Sequence, residues 1–203
     1  MEHNCNQITI RGTLIQLPRF SHENHGKRFC RFSILIPRLS GNVDTLPVVA
    51  EEKLLATLSI SEGQDVYITG QIRSHNIRED GVRRLLIFVF ATDILPEDGE
   101  PLNDCRLEGL LCREPVYRRT PLGREICDVM LAVPRAFKRA DYLPCILWGR
   151  TAQQISRCHT RDRIQILGRL QSRTYTKLTE KGPSERTAYE VSALSAEILD
   201  QTG

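Results

Sequence analysis

Aromatic and apolar residues alternate in a short segment of the second half of the chain. Tyr142, Pro144, Ile146 and Trp148 fall on positions of one parity. The intervening positions of the other parity hold Leu143, Cys145 and Leu147. Alternate residues of a β-strand point to opposite faces, so the apolar set predicts the core side and places both rings outside. An exposed ring can stack against another planar group, which is a binding chemistry and needs no nucleophile.

A second segment combines a ring with cations in the same way. Positions of one parity hold Arg169, Arg173 and Tyr175, and positions of the other hold Ile164, Ile166 and Leu170. A face that carries both rings and guanidinium groups fits single-stranded nucleic acid, because that polymer offers an unstacked base and a phosphate at each nucleotide.

The basic charge is concentrated in this half of the chain. Residues 1–100 carry 11 basic and 13 acidic side chains, whereas residues 101–203 carry 17 and 12. A polyanionic partner should therefore prefer the second half, although scattered surface charge is an equally good explanation of the balance alone. The candidate cations are Arg118, Arg119, Arg124, Arg135, Lys138, Arg139, Arg150, Arg169, Arg173, Lys177 and Lys181. Arg150, Arg169 and Arg173 are the strongest candidates because they flank the aromatic residues.

The chain repeats itself at a shift of 97 residues. The matching pairs include Gly12 with Gly109, Pro18 with Pro115, Cys30 with Cys127, Pro37-Arg38 with Pro134-Arg135, and Leu46-Pro47 with Leu143-Pro144. A polar segment rich in proline and glycine, residues 96–101, falls between the copies and is typical of a linker. We therefore predict two copies of one domain, over residues 1–98 and 102–200.

Each copy has the pattern of a small β-barrel. The second copy has strand segments at residues 105–112, 125–133, 143–148 and 164–170, and a fifth that begins at 188. Helical spacing marks residues 151–158, and residues 52–58 of the first copy. Five strands with a helix between the third and fourth predict an all-β chain of two tandem OB-fold barrels. Gly109 and Gly168 fall within strands, where a small barrel bends sharply.

The second copy resembles the bacterial single-stranded-DNA-binding protein family. The resemblance rests on segments in a conserved order: 107–109, 114–115, 131–133, Ile146-Leu147-Trp148-Gly149-Arg150, 166–173, Tyr175 and 189–191. It implies that Tyr142, Trp148 and Tyr175 are base-stacking residues and that Phe137 lies near a fourth such position. The candidate DNA-binding residues are then Tyr142, Trp148, Tyr175, Phe137, Arg150, Arg169, Arg173, Lys138, Arg119 and Lys177.

The first copy departs from this pattern. Its matching positions hold Thr45, Glu51 and Ile77, with Ser40 opposite Phe137. We expect the first copy to have kept the barrel and largely lost the grip on the strand, serving as a spacer, a dimerisation half or a weak auxiliary site. In competition with that hypothesis, Arg73, Arg78, Arg83 and Arg84 could still hold phosphates.

Other chemistries find little support. The seven cysteines form no C-x-x-C pair and several lie in apolar runs, which predicts reduced thiols that pack as small hydrophobic groups. His22-Glu23-Asn24-His25 lies beside Gly26 in a predicted hairpin loop, and a metal site there lacks further ligands. No catalytic motif is present, so we expect no enzyme activity, no cofactor and no metal.

The expected function is sequence-independent binding of single-stranded DNA in replication, recombination or repair. The alternatives are a primosome-like OB-fold adaptor that binds mainly protein, and RNA binding. The resemblance implies a homodimer, since some members carry two OB domains per chain and pair. The apolar runs are too short for a membrane span, which predicts a cytoplasmic, nucleoid-associated protein. The chain ends without the acidic recruitment tail of typical members.

Overall fold

The computed structural model describes residues 5–79, 81–179 and 182–199, and strands dominate it. The elements are β1 (Asn6–Asn24), β2 (Lys27–Pro37), β3 (Val43–Glu51), α1 (Glu52–Leu55), β4 (Asp65–Glu79), β5 (Val82–Pro96), β6 (Leu102–Leu111), β7 (Val116–Arg119), β8 (Glu125–Arg135), β9 (Arg139–Trp148), α2 (Gly149–Ile155), β10 (Arg163–Thr179) and β11 (Gly182–Leu199). Neither helix approaches the roughly 20 residues that a bilayer span requires, and no described helix is a candidate for one.

Two closed barrels account for the strands. In the first, β1 pairs with β2, β2 with β3, β3 with β5, β5 with β4, and β4 returns to β1. In the second, β6, β8, β9, β11 and β10 close in the same order, and β7 adds to the edge of β8. All pairings are antiparallel except β3 with β5 and β9 with β11. This order confirms the predicted tandem OB folds, each with a short helix after its third strand.

Alternation along the strands builds each core. In β9, Leu143 and Leu147 are fully buried and Cys145 is 3% exposed. Gly109 and Gly168 are buried where strands cross closely, and a Cβ atom on either would collide with a backbone carbonyl oxygen, that of Ala132 or Ser192. The two glycines therefore permit the tight packing that the sequence predicted for a small barrel.

The predicted element lengths were wrong in two respects. The helices end earlier than expected, at Leu55 and Ile155. Cys158 is still buried, because a turn in which its N–H donates to the carbonyl of Ile155 at 3.0 Å carries it to the core. Strands β10 and β11 are longer than their apolar segments, because they pair with each other over their whole lengths as a hairpin that extends beyond the core residues.

The two barrels join through their first strands. β1 pairs antiparallel with β6, with Ile8 opposite Cys105 and Ile10 opposite Asn103, so one continuous sheet runs through both barrels. Residues 97–101 connect β5 to β6. The exact domain bounds, 1–98 and 102–200, stay a prediction.

A pair of buried aspartates reinforces this junction. Asp141 accepts hydrogen bonds from the backbone N–H of Ser74 at 2.7 Å and from the guanidinium of Arg73 at 3.1 Å, both in the first barrel. Asp44, its counterpart in the repeat, accepts the N–H of Ser172 in the second barrel at 2.7 Å. Both aspartates are fully buried. The equivalent contacts give the two barrels an approximate twofold relation.

Candidate nucleic-acid interface

Tyr142 and Trp148 lie on the outer surface of the second barrel. Their exposed fractions are 45% and 38%, in contrast with the buried residues of opposite parity on β9. The indole Nε1–H of Trp148 donates to Oγ of Ser192 on β11 at 3.2 Å, which fixes the orientation of the ring. The arrangement leaves a positioned, solvent-accessible ring surface.

Tyr175 lies on the β10–β11 hairpin and is 42% exposed. The guanidinium carbon of Arg173 lies 6.0 Å from the centre of its ring, within the range of a cation–π contact. Tyr175 is also opposite Arg186 in the strand pairing. We call the outer surface that carries Tyr142, Trp148 and Tyr175 the stacking face.

Phe137 lies in the loop between β8 and β9 and is 93% exposed. Phe137 and its neighbour Lys138 both adopt positive φ, 59° and 55°, a backbone region that is uncommon for residues other than glycine. The loop therefore projects an aromatic and a basic side chain into solvent.

The predicted cations fall into three groups. Arg150, Lys138 and Arg173 are exposed, and their side chains form no hydrogen bond or ion pair with another described residue. Arg119 forms an ion pair with Glu125 at 3.0 Å, but its side chain is 70% exposed. Such exposed pairs contribute little, so a phosphate can displace the carboxylate. The side chain of Lys177, and all of Lys181, lie outside the described residues.

Arg169 has an unusual environment. Its Nε is buried and has no hydrogen-bond partner among the described residues. Arg169 is opposite Ser192 in the sheet, the same serine that holds the indole of Trp148. A phosphate or base acceptor near this point would give the guanidinium a partner beside the stacking ring.

Arg135 differs from the sequence-based expectation of a free cation. Its guanidinium lies 3.3 Å from Oδ1 of the buried Asp141, and its side chain is 31% exposed. Arg135 therefore contributes to the junction between the barrels. Arg73 of the first barrel, an expected phosphate contact, is also held by Asp141, and burial lowers its pKa.

The first barrel lacks rings at the positions that match the stacking face. The backbone N–H of Thr45 donates to Oγ of Ser172 in the second barrel at 3.0 Å. Glu51 pairs with Lys27 at 2.9 Å. Alternation along β5, however, places Phe88 and Phe90 on the outer surface, between the buried Ile87, Val89 and Ala91. Sequence comparison of the copies missed these rings, because the structurally matching positions of β11 hold Glu190 and Ser192.

No disulfide joins the seven cysteines, and none of the described residues forms a cluster that could hold a metal ion. Burial raises the pKa of Cys105 to about 12 and raises the pKa of Cys145 strongly. These thiols pack in the core and are poor nucleophiles at neutral pH. His25, the last residue of the His22–His25 segment, and Gly26 adopt positive φ in the turn between β1 and β2.

The fold and the sequence of the second barrel have clear relatives. Residues 102–199 match the model of the single-strand binding protein family. The single-stranded DNA-binding protein of Oceanobacillus iheyensis is 31% identical over 111 residues, which are 50% of this chain and 66% of the relative. Single-stranded DNA-binding protein A of Bacillus subtilis is 32% identical over 107 residues, 49% of this chain and 60% of the relative. The wild-type single-stranded DNA binding protein from Thermus aquaticus superposes with a TM-score of 0.80 at 23% identity, covering 98% of this chain and 94% of that chain.

The second barrel is an OB fold with outward aromatic and basic side chains, and the residues that form it, 102–199, match the single-strand binding protein family. The match to the Thermus protein extends to both barrels and shows that the tandem architecture is shared. The chain spans about half to two thirds of the length of the curated relatives that it matches.

Proposed function

We propose that this protein binds single-stranded DNA without sequence preference, and that the stacking face of the second barrel is the main contact. The observation that carries this proposal is the outward, fixed position of Trp148, together with exposed Tyr142 and Tyr175 on the same surface. Bases stack on the rings, and Arg150, Arg169 and Arg173 neutralise phosphates. Each stacked base should contribute about 1–3 kcal/mol, judged by alanine substitution.

The proposed binding makes and breaks no covalent bond. It gives the protein a role in covering exposed single strands during replication, recombination or repair, as the names of its relatives suggest. A base presents a flat surface whatever its identity, so stacking explains tolerance of sequence. The phosphate contacts explain an expected dependence on salt.

Titration with oligo-dT, followed by the emission of the single tryptophan, tests the proposal directly. A base stacked on Trp148 should quench its emission to saturation, and a DNA duplex of equal length should quench far less. Unchanged emission with oligo-dT, together with unchanged mobility of the oligonucleotide in a gel, would contradict DNA binding and favour the protein-binding adaptor. If oligo-U quenches the emission at the same concentrations as oligo-dT, the protein binds RNA as well.

Pairing of two chains is a further part of this proposal. Leu167 and Leu194 are 43% and 70% exposed beside the junction of the two barrels. Exposed leucines that lie together favour a protein contact. Sedimentation equilibrium should give twice the mass of the chain, and Leu194→Arg should shift the protein toward the monomer.

A further inference from the structure

A large cleft separates the outer surface of the first barrel from the β10–β11 hairpin of the second. Its volume is about 1610 Å³, and residues of all five strands of the first barrel and of β8, β9, β10 and β11 of the second line it. Small-molecule pockets usually measure roughly 300–1,000 Å³, so the cleft has room for a longer ligand. Tyr175 of the stacking face lines the cleft too, so the two surfaces are continuous.

The cleft is strongly basic. Eight arginines line it, five from the first barrel and three from the second, and Glu185 is the sole acid among the described lining residues. The side chains of Arg31, Arg83, Arg139 and Arg186 form no hydrogen bond or ion pair with another described residue. The Nε of Arg186 is buried and lacks a partner among the residues described. The net negative charge of residues 1–100 conceals this local excess of cations.

The wall formed by the first barrel also carries rings. Phe88 and Phe90 point outward from β5 and are half-buried. Phe90 is braced by Phe29 at a centroid separation of 6.0 Å and by the guanidinium of Arg73 at 5.7 Å. Phe88 has no ring or cation contact of this kind with any described residue, so its surface remains available.

Resting on the function proposed above, we propose that a single strand bound on the stacking face continues through the cleft, where a base stacks on Phe88 and Arg31, Arg83 and Arg186 hold phosphates. The first barrel then binds nucleic acid through a different strand and different rings from those of the second. Cations alone would suit an acidic peptide equally well, but the outward rings favour bases. This proposal differs from the expectation, drawn from the sequence, that the first barrel has largely lost its contacts with the strand.

The test compares short and long oligonucleotides on the full-length chain. Oligo-dT of about 10 nucleotides can be held by one OB fold, whereas about 30 nucleotides should occupy both surfaces. Phe88→Ala should leave the affinity for the short strand within about twofold and lower that for the long strand about 5- to 100-fold. Phe88→Tyr keeps a ring and should restore long-strand binding, and Phe20→Ala, an exposed phenylalanine outside the cleft, is the matched control.

A charge variant provides a second measurement that does not alter a half-buried residue. Arg31→Gln/Arg83→Gln should reduce the salt slope for the long strand by about 1.4, at about 0.7 per lost phosphate contact. Arg106→Gln/Arg157→Gln removes two exposed arginines outside the cleft and should leave that slope unchanged.

Three outcomes would overturn the cleft proposal. Equal wild-type affinity for short and long strands, with no effect of either variant, rejects the cleft while the proposed function stands. If polyglutamate binding falls in the arginine variant while neither variant changes long-strand binding, the cleft is a site for acidic peptide. If neither the short nor the long oligonucleotide quenches the tryptophan emission of the wild-type protein, the function proposed for the stacking face has failed as well.

Discussion

Asp141 of the second barrel accepts a hydrogen bond from the backbone N–H of Ser74 in the first, at 2.7 Å. The carboxylate is fully buried and also contacts the guanidinium groups of Arg73 and Arg135. Removing one partner from a buried ion pair leaves uncompensated charge, which is far more costly than loss of an exposed pair. The junction of the two barrels therefore depends on this aspartate.

We predict that Asp141→Ala lowers the free energy of unfolding by about 3–5 kcal/mol. Asp128→Ala is the matched control, because Asp128 pairs with Arg118 on the surface of the same barrel. That change should cost no more than about 1 kcal/mol. Urea denaturation of the two variants measures both values, and equal losses would show that the junction does not depend on the buried carboxylate.

Removal of the fixed ring should weaken binding. We predict that Trp148→Ala reduces the affinity for oligo-dT by about 1–3 kcal/mol, as expected for loss of one stacked base. Trp148→Phe retains a stacking surface and loses the hydrogen bond to Ser192, so it should fall between the wild type and the alanine variant. Fluorescence anisotropy of a labelled strand measures all three, since it does not require the tryptophan. Wild-type affinity in Trp148→Ala would rule out this ring as a platform.

The dependence of affinity on salt should distinguish phosphate contacts from base stacking. If about four phosphates are neutralised, log K should fall against log salt with a slope near −3. We predict that Arg173→Gln makes the slope shallower by about 0.7, because one phosphate contact is lost. Trp148→Ala should weaken binding at every salt concentration and leave the slope unchanged. If Arg173→Gln and Trp148→Ala changed the slope equally, the assignment of phosphate contact to Arg173 and of base stacking to Trp148 would be wrong.

The buried thiols predict a loss of stability at alkaline pH. Burial raises the pKa of Cys105 to about 12, whereas an unfolded thiol titrates near 8.5. Because the pKa is raised, the folded chain retains a proton between about pH 8.5 and 12 that the unfolded chain releases. The contribution of the Cys105 thiol to the free energy of unfolding is therefore complete below about pH 8.5 and falls as pH rises toward 12. The difference in unfolding free energy between the wild type and Cys105→Ala should shrink by about 1.4 kcal/mol per pH unit in that interval. Urea denaturation in reducing buffer measures it, and a difference that does not change with pH would refute the shift.

The sequence could predict the features that depend on residues close to one another along the chain. The alternation along β9 identified Tyr142 and Trp148 as exposed, because burial in a strand largely follows parity. The same parity was wrong for Ile146, which is 6% exposed where β9 pairs with Ser192 of β11. The repeat and the order of strands identified the barrels. The helices were overestimated, because the spacing of Ala152, Ile155 and Cys158 arises from a short helix followed by a turn.

Features that depend on the relative position of the barrels could not be predicted. The cleft exists because β1 pairs with β6 and because Asp44 and Asp141 reach across the junction. No local pattern specifies that Phe88 of one barrel and Tyr175 of the other line the same space. The total charge of the first half was equally uninformative, because it averages the arginines of the cleft with acids elsewhere.

The pairing of β1 with β6 within one chain has an evolutionary consequence. An assembly of identical subunits must repeat each substitution in every copy, so an advantageous change at one position is accepted only if all copies tolerate it. Here each barrel mutates alone. One barrel has Glu51 where the other has Trp148, and Phe88 where the other has Glu190. Covalent fusion thus released the two halves to specialise.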